Sequence, residues 1–185
     1  YDSGGVYKPL HIQISSETYK QSVVYTLEPQ DQLIDGGIRI SVPFDAAGSI
    51  ASSALFFRST GNWIFQTAQP DSGRHTFSTT LRQTLGELCV LKDDAAPSIG
   101  RLRCLPRKGK LFFSFRYTDN LSGVDTDEIK TYIDNTPVIP EIDGEHRQVW
   151  YQADEALARG KHSLKITMKD RMKNESAVSR TFTVR

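Results

Sequence analysis

Alternation of apolar and polar residues with a period of two is the feature of this sequence that most restricts its fold. The clearest runs place apolar residues at Leu10, Ile12 and Ile14; at Ile38, Ile40 and Val42; at Leu111, Phe113, Phe115 and Tyr117; and at Leu164, Ile166 and Met168. Successive side chains of a strand point to opposite faces, so each run has one apolar and one polar face. This pattern is typical of antiparallel sheets that are buried on one side. The sequence therefore predicts an all-β fold.

Turn sequences and the length of the chain indicate how the strands are grouped. Polar residues 59–62 separate two apolar runs and predict a hairpin. A length of 185 residues suits two modules, and the polar segment 92–97 contains Pro97, which cannot donate to a sheet. We predict two consecutive antiparallel β-sandwich modules, at residues 1–93 and 95–185. The one helical expectation is a short turn over residues 153–159, closed by Gly160.

Charge and cysteine content narrow the classes of partner and site. With 23 basic and 22 acidic residues the net charge is +1, which does not favour nucleic acid. The densest basic run, residues 101–110, is interpreted as a strand edge and a turn. No apolar run approaches the ~20 residues of a membrane span, so the chain is not expected to cross one. Cys89 and Cys104 form no CxxC pattern; two buried thiols are expected, with a disulfide as the alternative.

The second half carries a characteristic order of loops and strand starts. Its segments are Tyr117-Thr118-Asp119-Asn120-Leu121-Ser122-Gly123-Val124-Asp125, Leu157-Ala158-Arg159-Gly160-Lys161-His162-Ser163-Leu164 and Asp170-Arg171-Met172-Lys173-Asn174-Glu175-Ser176. This succession resembles bacterial immunoglobulin-like modules and departs from them at Arg171-Met172-Lys173, where a small residue or glycine is more usual. The resemblance implies that the second module is immunoglobulin-like. Within it, Gly123 and Asn174 are expected to suit left-handed backbone.

Scattered positions along the whole chain carry a wider resemblance. They are Tyr7-Lys8-Pro9-Leu10, Gly36-Gly37-Ile38, Trp63, Leu85-Gly86-Glu87-Leu88 and Asp94-Ala95-Ala96-Pro97-Ser98-Ile99. Together with the Ser122-Gly123 loop, they resemble the non-catalytic C-terminal region of cell-envelope proteins related to lysostaphin-like zinc endopeptidases. The resemblance implies export to the periplasm or cell surface, and an accessory role beside other domains of the same polypeptide. That role would be positioning a peptidoglycan endopeptidase, or contacting peptidoglycan, a surface glycan or a protein partner.

Catalytic motifs of the related peptidases and of serine hydrolases are missing from the sequence. Zinc binding in those peptidases uses HxxxD and HxH, and neither occurs around His11, His75, His146 or His162. No G-x-S-x-G motif is present either. We therefore expect no enzymatic activity from this chain. Because it opens at Tyr1 without methionine, it is interpreted as a mature or excised fragment whose peptidase domain would lie upstream.

Aspartates in the linker and loops form one candidate site. In an immunoglobulin topology Asp93, Asp119, Asp125 and Asp170 lie at the same end of the module, where they can converge as oxygen ligands of calcium. The alternative is that each carboxylate accepts backbone N–H bonds within its own turn. We favour the alternative and expect no cofactor, with calcium as the second possibility.

Aromatic residues form the other candidate site. Trp63, Trp150 and Tyr151 can stack on sugar rings. Trp150 and Tyr151 are neighbours in a predicted strand, so they cannot both face the core. One of the two is expected to face solvent or the other module. This leaves a carbohydrate-binding module and a surface adhesin as alternatives to the accessory role.

Overall fold

Antiparallel sheets make up the fold throughout the described residues. The computed structural model describes residues 11–19, 22–30, 33–34, 36–44, 49–82 and 84–185. Within these ranges there is no α-helix and one turn of 3-10 helix, Ile50–Ser52. The prediction of an all-β fold of β-sandwich modules is confirmed. None of the helices described has the length and apolar character needed to cross a membrane.

Contacts divide the chain into two compact units, Tyr1–Lys92 and Asp93–Arg185. Asp93, which the sequence analysis placed at the end of the first module, therefore belongs to the second unit. Leu10 of the first alternating run lies outside the described residues.

Eight strands form two sheets in the described part of the first unit. They are β1 (Gln13–Tyr19), β2 (Ser22–Glu28), β3 (Ile38–Pro43), β4 (Ser53–Arg58), β5 (Ile64–Gln66), β6 (Gln69–Asp71), β7 (Thr76–Leu81) and β8 (Glu87–Lys92). The strand orders are β1-β2-β8-β4-β5 and β3-β7-β6. β4 and β5 pair as the predicted hairpin. A shared core forms where Leu55 and Leu88 of the larger sheet meet Val42 and Phe77 of the smaller one.

Eight more strands form the second unit. They are β9 (Ser98–Arg107), β10 (Lys110–Thr118), β11 (Val124–Ile133), β12 (Thr136–Val138), β13 (Glu141–Asp143), β14 (Gln148–Gln152), β15 (Gly160–Asp170) and β16 (Glu175–Val184). They form two sheets with the orders β13-β14-β10-β9 and β12-β11-β15-β16. Phe113 and Phe115 of one sheet pack in a single core with Leu164 and Ile166 of the other, as the alternation predicts. The unit is thus a sandwich.

The predicted helical turn at residues 153–159 is wrong. The segment is irregular. The backbone N–H of Ala153 donates to the carbonyl of Leu111 (2.8 Å), and that of Leu157 donates to Gly109 (2.8 Å). The N–H of Leu157 is therefore not available for a helical bond to Ala153. A helix of this length has too few such bonds to be stable without them.

Both cysteines are buried free thiols. Cys89 lies in β8 and Cys104 in β9. Burial raises the pKa of the Cys89 thiol to about 11. It also raises the pKa of Cys104. Both groups are therefore protonated and poorly nucleophilic at neutral pH.

Gly86 tests the packing of the first unit. A Cβ atom at Gly86 would lie 2.5 Å from the carbonyl oxygen of Arg58 and 2.9 Å from the ring of Phe57. We expect Gly86→Ala to lower the free energy of unfolding by about 1–3 kcal/mol, because backbone and ring must move to accommodate the methyl group. Gly73→Ala is the matched control, since its nearest contact is 3.5 Å. Equal thermal midpoints for the two variants would contradict the packing described.

His162 joins two loops of the second unit to β15. Its Nδ1 lies 2.5 Å from Oδ2 of Asp134, and its Nε2 lies 2.8 Å from the carbonyl oxygen of Ala158. Both partners are acceptors, so only the protonated imidazole satisfies both bonds. The Asp134 carboxylate and the Ala158 carbonyl raise the pKa of His162. The bond to His162 lowers the pKa of Asp134.

This pairing predicts a pH-dependent contribution to stability. The raised pKa of His162 means that the contribution is complete below its unfolded pKa of ~6.5 and is lost as pH rises through the folded value. At low pH the contribution is limited by Asp134. Because the folded pKa of Asp134 is lowered, the contribution is lost as pH falls below its unfolded pKa of ~3.9. Replacing His162 by Gln should cost about 1 kcal/mol at about pH 5.5 and less at about pH 9. Denaturant unfolding at the two pH values measures this, and equal losses would refute it.

Candidate functional site

Three aspartates from separate segments meet at one end of the second unit. Asp93 precedes β9, Asp119 follows β10 and Asp170 ends β15. One carboxylate oxygen from each lies within 4.8 Å of the other two. We call these three residues the carboxylate cluster. Asp93 is 2% exposed and Asp170 is fully buried, so two of the three charges are removed from water.

Turn geometry explains why the chain places Asp119 and Asp93 together. Oδ2 of Asp119 accepts hydrogen bonds from the N–H groups of Leu121 (3.0 Å) and Gly123 (2.8 Å), forming an Asx turn. Gly123 has φ +82°, as expected for the residue that closes this loop. Oδ2 of Asp93 accepts from the N–H of Ser122 (2.9 Å) and thereby fastens the segment before β9 to the same loop.

Asp170 is held by the turn that follows it. Its two carboxylate oxygens accept from the backbone N–H of Asn174 (2.9 Å) and from the Asn174 side-chain amide (2.8 Å). The same amide donates to the carbonyl of Asp93 (3.1 Å). Left-handed backbone was expected at Asn174, but Lys173 adopts it, with φ 68°. Asn174 instead uses its side chain to connect two members of the cluster.

Asp125, the fourth predicted ligand, does not belong to the cluster. It lies in β11, where its Oδ2 accepts a hydrogen bond from Nζ of Lys173 (2.8 Å). The bond to Lys173 lowers the pKa of Asp125. The structure thus brings together three of the four predicted residues and pairs the fourth with a cation of the chain itself.

The electrostatics of the cluster differ from those of an ordinary surface turn. Burial raises the pKa of Asp170, and the charges of Asp93 and Asp119 raise it further. Three neighbouring carboxylates repel one another, so the arrangement favours taking up either a proton or a cation. It can therefore respond to pH and to divalent ions.

Calcium binding was a prediction for these residues and stays one. Oδ1 of Asp119 is buried and has no hydrogen-bond partner among the residues that the structure describes, which leaves its lone pairs available. In this respect the residues fit a calcium ion, and Asp93, Asp119 and Asp170 would hold it. Calcium takes six to eight oxygen ligands, so backbone oxygens or water would complete the shell. The favoured alternative is that each carboxylate caps a turn. It accounts for those carboxylate oxygens of the cluster that do accept hydrogen bonds.

The three aromatic residues proposed for stacking occupy different environments. Tyr151 packs in the core and stacks on Phe113, with ring centroids 5.3 Å apart. The guanidinium of Arg58 lies over the ring of Trp63, 4.5 Å from its centroid, and so covers one face. Trp150 is half-buried and points away from the core on the opposite side of β14 from Tyr151. Of the neighbouring pair, Trp150 is thus the outward residue.

Strand pairing places Trp150 on a mixed apolar and charged surface. We call the side of the β13-β14-β10-β9 sheet that faces away from the core the outer sheet face. Along it, Ser114 lies opposite both Trp150 and Arg103, and Phe112 lies opposite Leu105. Leu105 is 55% exposed. Leu105 and Phe112 were not predictable from the sequence, because their position beside Trp150 depends on the register of two strand pairs.

Asp170 generates a prediction about pH. A carboxyl group whose folded pKa is raised takes up a proton on folding, so the folded state loses stability as pH rises from the unfolded pKa of ~3.9 through the folded value. Each unit of that shift corresponds to about 1.4 kcal/mol. In buffer with EDTA, Asp170→Asn should remove this loss. The free energy of unfolding of the variant, relative to that of the parent chain, should therefore be higher at about pH 7 than at about pH 4.

Asp125→Asn is the matched control for the pH experiment. The pKa of Asp125 is lowered, so its pair with Lys173 contributes stability above the unfolded pKa, and the effect of the substitution has the opposite sign. Denaturant unfolding across this pH range measures both variants. Identical pH profiles for the two would contradict the electrostatics described.

Comparison with known proteins finds similarity among solved structures. No protein-family model matches the chain, and no curated protein matches it. Among solved structures, the crystal structure of dimeric latent PorU from Porphyromonas gingivalis is similar, with a TM-score of 0.41 and 11% sequence identity. The similarity covers 88% of this chain and 21% of that PorU chain.

Proposed function

We propose that this chain is a non-catalytic binding region of an exported cell-envelope protein. In that role it positions a peptidoglycan endopeptidase or contacts the cell wall or a protein partner. The placement in the envelope rests on the resemblance carried by scattered positions along the whole chain, among them Trp63 and the Ser122-Gly123 loop. The binding role rests on the outer sheet face.

The outward position of Trp150 carries the proposal. The side chain of Trp150 lies on the outer sheet face with those of Phe112 and Leu105, and Leu105 is 55% exposed. Grouped apolar residues on a polar surface mark places where another molecule is recognised. Tryptophan contributes strongly to such contacts, because it offers a large rigid surface at a small cost in conformational entropy. This observation favours a surface that binds a cell-wall glycan.

A surface adhesin is the second candidate, and a different residue favours it. Ile139 is 92% exposed and lies in the segment between the edge strands β12 and β13. An exposed apolar residue beside unpaired strand edges suits contact with another protein. The two candidates therefore use different surfaces of the same unit and can be separated by substitution.

Co-sedimentation with purified peptidoglycan tests the proposal. We expect the chain to sediment with the polymer, and Trp150→Ala to weaken binding about tenfold, or about 1.4 kcal/mol. Ile139→Ala is the control and should bind like the parent chain. Thermal unfolding of both variants verifies that they are folded. Failure of the parent chain to sediment would refute cell-wall contact, and a loss confined to Ile139→Ala would favour the adhesin.

A further inference from the structure

Positive charge is concentrated on one side of the outer sheet face. Arg103 and Arg107 of β9, Lys108 of the following turn and Lys110 of β10 are all exposed. Within the described part of the chain, none of these four side chains forms an ion pair. The overall net charge of +1 thus conceals a local excess that no ion pair among the described residues neutralises.

Strand register interleaves this charge with the apolar residues. Arg103 lies in the same row as Trp150, with Ser114 between them. Leu105 and Phe112 occupy the next row, and Arg107 lies opposite Lys110 in the row after it. Ser114 itself is 9% exposed, so the side chains around it cover it. We call Leu105, Phe112 and Trp150 the apolar strip. Along β9, Arg103 and Arg107 therefore lie on either side of Leu105.

A shallow pocket lies at one end of this strip. Its volume is about 490 Å³, and its lining includes Leu105, Arg107, Lys110, Phe112 and Gln152. The lining combines apolar side chains with cationic and amide groups. This combination suits a ligand with an apolar ring face and with carboxylate and hydroxyl groups around its edge.

We propose that the outer sheet face binds an acidic polysaccharide, a polymer whose sugar rings carry carboxylates. The sugar rings stack on Trp150 and Phe112, and their carboxylates pair with Arg103 and Arg107. Planar guanidinium groups suit this role, because each can bind a carboxylate through two parallel hydrogen bonds. The inference rests on the proposed binding function and specifies the class of ligand.

Geometry favours an extended polymer over a small molecule or nucleic acid. Arg103 and Arg107 are four residues apart on β9, a separation of roughly 13 Å at 3.3 Å per strand residue. A polymer lying along β9 can contact both arginines and the aromatic rings beside them at once, whereas a small anion contacts only part of this surface. Nucleic acid generally requires a large net positive charge, whereas the net charge of this chain is +1. Glu141 lies opposite Trp150 on the same face, so the carboxylates of the proposed ligand are directed to the β9 side, away from Glu141.

Binding of defined polymers tests the inference. Titration calorimetry would compare polygalacturonate, neutral dextran and single-stranded oligothymidylate with the intact chain. We expect polygalacturonate to bind at least about tenfold more tightly than either of the others, with affinity that falls as salt rises. The double substitution Arg103→Gln and Arg107→Gln should weaken binding about tenfold.

Two further variants keep the test specific. The double substitution Arg159→Gln and Lys161→Gln removes the same charge from exposed positions outside the outer sheet face and should leave the affinity unchanged. Leu105→Gln alters the strip at a 55% exposed position, where packing is little affected, and should weaken binding.

Each outcome decides for or against the acidic polysaccharide. Equal affinity for dextran, tighter binding of oligothymidylate, or equal losses in the two double variants would overturn it. If Trp150→Ala abolishes co-sedimentation with peptidoglycan while the Arg103 and Arg107 variant retains it, the acidic ligand is refuted and the binding function survives.

Discussion

The pleat of a β-strand sends neighbouring side chains to opposite faces of the sheet, and the second unit depends on this constraint. Phe113 and Tyr151 enter the core and stack there, while Phe112 and Trp150, one residue away, point outward. A shift of register by one residue would exchange these pairs. The packing that stabilises the sandwich therefore also determines which aromatic residues are available to a ligand.

The loops at one end of the sandwich are organised by buried polar contacts. Asp93, Asp119 and Asp170 each fix a turn by accepting backbone N–H bonds, and Asn174 joins two of them. These bonds offset the cost of burying carboxylates, but they do not remove the repulsion between three neighbouring charges. The same residues thus have a structural role and an electrostatic one, because burial and the neighbouring charges raise the pKa of Asp170. The outer sheet face has no such structural role, since its cations are unpaired within the described residues.

Features governed by local chemistry were predictable from the sequence. Alternation identified the inward residues of β10 and β15, and polar segments identified the β4–β5 hairpin. Gly123 was recognised as a loop residue because it can adopt a positive φ. Three of the four aspartates proposed as ligands were brought together, because the segments before β9, after β10 and at the end of β15 meet at one end of the sandwich.

Features governed by tertiary contacts were not predictable. Residues 153–159 have helix-forming composition, but Ala153 and Leu157 bond to β10 and its turn. Asp125 was separated from the cluster by Lys173, whose position depends on the turn after β15. Leu105 and Phe112 are recognised as surface neighbours of Arg103 and Trp150 only once the pairing of β9, β10 and β14 is known. The candidate surface is thus a product of register, which a single sequence does not specify.

Nuclear magnetic resonance of the two indole N–H groups tests the account most directly, because the chain contains only Trp63 and Trp150. During titration with polygalacturonate, the account predicts a shift of the Trp150 signal together with the guanidinium signals of Arg103 and Arg107. The Trp63 signal should stay in place. Shifts confined to Trp63 or to the carboxylate cluster, or no shift at all, would contradict recognition by the outer sheet face.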